Sequence, residues 1–191
     1  LVNYTLIASI FALSLLALLL ALDLPTLLQP MPIYVLKDLK GGSWLGYRLG
    51  YFGTILLLVA QLYTVVKRLP FKRAVHWRSL LLKIHIYLSC LGSAAVFIHA
   101  GLPFSFKYWN PFKYIDLLTG LPAGLVGFSG LATWMLAVCG LSGLIGRYLY
   151  ARIRLVKPFT LWRRIHVWLA VALYVCSLIH VTIVVLFKLV I

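Results

Sequence analysis

Residues 83–100 read KIHIYLSCLGSAAVFIHA, and residues 164–181 read RIHVWLAVALYVCSLIHV. At a constant offset of 81 residues, Lys83-Ile84-His85-Ile86-Tyr87-Leu88 falls on Arg164-Ile165-His166-Val167-Trp168-Leu169, and Ile98-His99 falls on Ile179-His180. Each stretch is apolar after a basic start and carries H-x13-H. Fourteen residues make about 3.9 turns of α-helix, so the two histidines of a stretch share one face, about 21 Å apart along the axis.

The rest of the chain says what surrounds such helices. Its 191 residues are 63% apolar and 11% charged, with a mean hydropathy of +1.03, well above the roughly 45–50% apolar content of a water-soluble domain. Five runs are long enough to cross a hydrocarbon core, which takes about 20 residues: 5–22, 49–66, 84–102, 121–146 and 165–187. The expected fold class is therefore all-α, an integral membrane helical bundle of five transmembrane helices forming a single domain over 1–191. Eighteen Lys/Arg against three Asp/Glu would suggest nucleic-acid binding in a soluble chain. Here the cations lie in short clusters between membrane-length runs, so they read as topology and nucleic acid is not an expected partner. The run after Leu1 lacks the basic start of a signal peptide and reads as a retained helix.

Two connectors on one side hold Lys67, Arg68, Lys72, Arg73, Arg78 and Lys83, then Arg147, Arg152, Arg154, Lys157, Arg163 and Arg164. The opposite side holds Lys37, Lys40, Arg48, Lys107, Lys113 and Lys188. By the positive-inside rule the denser side is cytoplasmic, with the N-terminus inside and the C-terminus outside. The connector 23–48, with Pro25, Pro30, Pro32 and Gly41-Gly42, is expected to be irregular and external. The aromatic-rich connector 103–120 is expected at the level of the lipid headgroups. The setting is a cytoplasmic membrane of bacterial or archaeal type, with lipid as the first partner.

An ionisable side chain inside a membrane is a functional candidate, because an unpaired polar group in hydrocarbon is costly. One helix separates the third run from the fifth, so the two run parallel and equivalent histidines lie at similar depth. His85 can face His166, and His99 can face His180, giving two layers of two imidazoles. The plain alternative is that each histidine braces a neighbouring helix, but four histidines in two registered pairs weigh against it. Zinc needs further donors in each layer, and Cys90, Cys139 and Cys176 form no CxxC, CxxCH or Cys/His cluster. Cys90 and Cys176 are expected to be small packing residues. A proton or ion pathway would use intramembrane carboxylates, whereas Asp23, Asp38 and Asp116 sit at span ends or in connectors. Haem fits: the macrocycle supplies four equatorial nitrogens and leaves two axial positions for the protein. With both filled by histidine, electron transfer is the expected role.

These residues resemble the di-haem b-type membrane cytochromes, which hold two haems one above the other between helices carrying paired H-x13-H motifs. The spacing is that of the cytochrome b of quinol-oxidising bc complexes; placement on the third and fifth spans looks more like the ferric-reductase-like transmembrane domain. The resemblance covers about residues 80–188 and implies two haem b groups, ligated by His85/His166 and His99/His180. It further implies an electron-transfer subunit of an oxidoreductase assembly, not a complete enzyme. Members of the ferric-reductase-like group usually have a sixth span, and many carry flavin and nicotinamide domains. Five runs are present here, with no G-x-G-x-x-G after a strand and no quinol-site motif of the bc type. Expected partners are therefore flavin, iron–sulfur or cytochrome c subunits. Quinone is a further candidate cofactor, and a quinone-reactive subunit is the nearest alternative. A haem-free transporter or anchor is the alternative of another class.

Supporting residues follow from haem chemistry. Propionates are anionic, and Arg78, Lys83, Arg163 and Arg164 lie near the ligands of the cytoplasmic haem; Lys107 and Lys113 are weaker candidates for the outer one. Gly92, seven residues from both His85 and His99, is placed to leave room between the layers. Gly124-Gly127-Gly130 and Gly140-Gly143-Gly146 allow close approach of a ring or, more simply, of another helix. His76 reads as interfacial, and Gln61 and Tyr63 as polar groups of the second span that serve interhelical hydrogen bonds or a quinone or propionate contact.

Overall fold

A computed structural model describes residues 4–29, 43–67, 74–101, 121–150 and 156–190. Among them lie seven α-helices and a π-helical turn, and no strand. The helices are α1 (Tyr4–Leu22), α2 (Leu24–Leu27), α3 (Trp44–Ala60), α4 (Leu62–Val66), α5 (Ala74–His99), α6 (Leu121–Ile145) and α7 (Val156–Val190); the π turn, Gly146–Tyr150, closes α6. Four stretches are long and apolar enough to cross a membrane: Trp44–Val66, Trp77–His99, Phe128–Leu149 and Phe159–Leu186. They make this an integral membrane protein. The first expected span coincides with α1, whose described apolar part, Ile10–Leu22, is shorter. Large apolar side chains such as Phe11, Tyr87 and Trp168 are 69–72% exposed on the chain, a surface suited to lipid and costly in water.

The helices outrun the apolar stretches that mark them. The second span begins at Trp44 and not 49, the third helix at Ala74 and not 84, and the last at Val156 and not 165. The reason is that hydropathy stops at a charge whereas backbone hydrogen bonding does not. Arg78, Lys83, Arg163 and Arg164, expected in connectors, sit on helical turns, where long aliphatic stems lie along an apolar helix and carry their charges outward. At 35 residues α7 is about 52 Å long, well beyond a hydrocarbon core of about 30 Å.

The described chain forms two compact units, Leu1–Phe104 and Ser105–Ile191; α5 belongs to the first and α7 to the second. In the first unit Ser43 caps α3, its hydroxyl accepting from the Gly46 N–H at 2.9 Å. Gly46, Gly50, Gly53 and Ala60 form the buried face of α3. A Cβ on Gly53 would lie 2.8 Å from the Gly92 carbonyl oxygen, and a Cβ on Gly92 2.9 Å from that of Gly53. α3 and α5 therefore cross with their backbones in contact, as small residues permit. Arg48 ties the α2 end to α3: its guanidinium lies 3.6 Å from the centre of the Trp44 ring and donates to the carbonyls of Leu27, Gln29 (2.6 Å) and Trp44 (3.1 Å). Those near α2 are the carbonyls a helix end leaves unpaired. The Tyr51 hydroxyl donates to the Leu20 carbonyl at 2.5 Å, joining α1 to α3.

The second unit is the hairpin α6–α7. At Gly146 the backbone runs so close to Trp162 that a Cβ would overlap the indole ring. Gly143 lies near His166, its Cβ position 3.3 Å from Cε1, while nothing stands within 4 Å of the Cβ position of Gly140. Lys37, Lys40, Arg68, Lys72, Arg73, Lys107, Lys113, Arg152, Arg154 and the connector 103–120 lie outside the described residues, as do the side chains of His76, Lys157 and Lys188.

A candidate histidine site on two helices

In the first unit His85 and His99 of α5 reach back to the backbone of the preceding span. His85 Nδ1 lies 2.9 Å from the Ala60 carbonyl oxygen, and His99 Nδ1 lies 2.8 Å from that of Gly46. A carbonyl oxygen only accepts, so each imidazole carries its proton on Nδ1 and its lone pair on Nε2. Hydrogen bonding through one ring nitrogen orients a histidine that ligates a metal through the other.

The two acceptors arise differently. Around Gln61 the α-helical pattern breaks: the Gln61 N–H bonds the Leu58 carbonyl at 3.0 Å, and the Thr64 N–H bonds Gln61 O at 2.8 Å. In an unbroken helix Thr64 would bond Ala60 O; here that carbonyl takes His85. Gly46 lies in the first turn of α3, and its carbonyl is reached because Gly50 has no side chain. A Cβ on Gly50 would stand 2.7 Å from His99 Nδ1 and 2.8 Å from Cγ and Cε1. The Tyr63 ring packs against His85 at 5.4 Å between centroids, and the Lys67 ammonium lies 5.4 Å from the Tyr63 ring centre.

In the second unit His166 uses a side chain. Its Nδ1 lies 2.6 Å from Ser142 Oγ on α6, and that oxygen is 2.8 Å from the Cys139 carbonyl. Trp162, one turn before His166, stacks on its ring at 5.5 Å and 19°, and its indole N–H donates to the Ser142 carbonyl at 2.8 Å. Phe159 continues the row, 5.2 Å from Trp162. His180 lies on the same helix, half-buried.

Arg78 and Lys83 are exposed on α5, seven and two residues before His85; Arg163 and Arg164 are exposed on α7, three and two before His166. In each unit these cations lie toward one end of the helix, on the side of His85 in α5 and of His166 in α7. Gly92 meets Gly53, Leu56 and Leu57 of α3, so the room it leaves is taken by a helix. Tyr63 touches the His85 ring, a contact the sequence did not suggest. Cys176 is buried as a packing residue would be, whereas Cys90 is exposed.

Sequence reasoning missed Ser142, Trp162, Gly50 and the two backbone acceptors. No repeat signals them: at the offset of 81 residues Trp162 falls on Leu81, and a carbonyl has no letter in the sequence. Among the described residues no three of His, Cys, Asp and Glu come together. Compared with known proteins, the chain matches no family model, no curated protein and no solved structure.

Proposed function

We propose that the chain is a di-haem cytochrome b subunit that carries electrons across the membrane within a larger oxidoreductase assembly. The observation that supports this best is the hydrogen bonding of His85, His99 and His166, each through Nδ1. At His85 and His99, whose partners are carbonyls, it sets the tautomer whose Nε2 can coordinate. His85 with His166 ligates one haem, and His99 with His180 the other. Haem held by these histidines would supply one-electron transfer.

The chain's own residues do the rest. The hydrogen bonds to Ala60, Gly46 and Ser142 hold the imidazoles in orientation and raise their basicity as ligands. Arg78, Lys83, Arg163 and Arg164 pair with the propionates of the haem at the basic end. That end faces the cytoplasm, following the charge distribution. Apolar helix surface keeps water from the irons. Electrons enter from and leave to redox groups of partner subunits, a flavin, an iron–sulfur centre or a cytochrome c, or to membrane quinone.

A reduced-minus-oxidised absorption spectrum of the purified protein tests this, with haem counted per chain. The expected result is a b-type spectrum with two haems. A protein that purifies folded and takes up no haem is instead a transporter or anchor whose histidines brace helices.

A further inference from the structure

The four histidines are not held alike, and one of the acceptors is genetically accessible. His85 and His99 donate to backbone carbonyls, which no substitution removes. His166 meets a hydroxyl, which itself donates to the Cys139 carbonyl. Ser142 Oγ stands 2.6 Å from His166 Nδ1 and 2.8 Å from the Cys139 carbonyl, an acceptor only. A serine hydroxyl has one hydrogen. If it is given to Cys139 O, Oγ is left to accept, and His166 must donate from Nδ1. Were the imidazole proton on Nε2, the hydroxyl would have to turn its one hydrogen to Nδ1 and give up its bond to Cys139 O.

Three neighbours fix the serine in place. The Trp162 indole N–H holds the Ser142 carbonyl at 2.8 Å while the same ring stacks on His166. Gly143 brings the α6 backbone close to the imidazole, and Gly146 leaves the space the indole occupies.

We infer that Ser142 is the positioning residue of His166: its hydroxyl, itself donating to Cys139 O, accepts the Nδ1 proton and so sets the tautomer and donor strength of one axial ligand. This rests on the cytochrome reading, and it assigns control of one haem of the two to a residue that touches neither iron nor porphyrin. An imidazole whose Nδ1–H is hydrogen-bonded is the more basic ligand and favours ferric iron. Without the acceptor, the potential of that haem rises.

Ser142→Ala and Ser142→Thr in the full chain test this, by redox titration of both haems and by ¹⁵N NMR of the His166 imidazole. In Ser142→Ala one midpoint potential is expected to move upward, with the second unmoved and two haems retained. Ser142→Thr, which keeps the hydroxyl, is expected to restore the native value. Two bound haems with both potentials unchanged in Ser142→Ala would overturn the inference and leave the cytochrome reading intact. A native chain without haem would overturn that reading instead. The ¹⁵N shifts of the native protein then still decide the tautomer: Nδ1–H is expected, and Nε2–H at His166 overturns the role of Ser142 whatever the variants do.

Discussion

At the scale of the residue, the imidazoles are governed by what their Nδ1 atoms meet, and glycine decides whether they can meet it. Gly50 is the clearest instance, because His99 lies where the side chain of any other residue would begin. Gly50→Ala is therefore expected to displace the His99 ring from the Gly46 carbonyl and, on the proposed reading, to remove one of the two haems while the helical content is unchanged. Pyridine haemochrome assay together with circular dichroism checks this; two haems retained in Gly50→Ala contradict it. The four histidines were legible in the sequence because a repeat at fixed offset needs only letters. Their acceptors were not. Ala60 O becomes an acceptor through a break in backbone hydrogen bonding at Gln61, and neither Gln61 nor its neighbours is a helix breaker. Ser142 lies 24 residues before His166 and Ala60 lies 25 before His85, so even the repeat does not align them.

At the scale of the element, glycines that look equivalent in the sequence do different work. Gly140, Gly143 and Gly146 recur every three residues, yet a three-residue step advances about 300° around a helix, so the run drifts from one side toward another. Gly146 lies under Trp162, Gly143 near His166, and Gly140 opens on unfilled space. Gly146→Ala forces the indole aside and is expected to destabilise the α6–α7 hairpin by about 1–3 kcal/mol. Gly140→Ala meets no neighbour and gains helix propensity of up to about 1 kcal/mol, so it is expected to be neutral or stabilising. Denaturation of the two variants in detergent compares them, and equal loss of stability in both contradicts this assignment. Helix ends were the least legible part of the elements. Hydropathy placed them at the last apolar residue, and the backbone carried α5 and α7 on through Arg78, Lys83, Arg163 and Arg164.

At the scale of the whole molecule, composition alone required a membrane protein, and four apolar helices of spanning length agree with it. Each compact unit contributes a helix with an H-x13-H pair, its histidines about 21 Å apart on one face, preceded by a helix rich in glycine and flanked by cations near His85 in one and His166 in the other. The units differ in how they hold that histidine, by a carbonyl and an aromatic ring from α4 in one and by a serine and a tryptophan in the other. The central claim is that each haem draws one ligand from α5 and one from α7. Low-temperature electron paramagnetic resonance of the oxidised protein tests it most directly. Two low-spin ferric signals are expected, with His85→Ala and His166→Ala abolishing the same one and His99→Ala and His180→Ala the other. Loss of one signal by His85→Ala and of the other by His166→Ala, or no low-spin signal in the native protein, would contradict it.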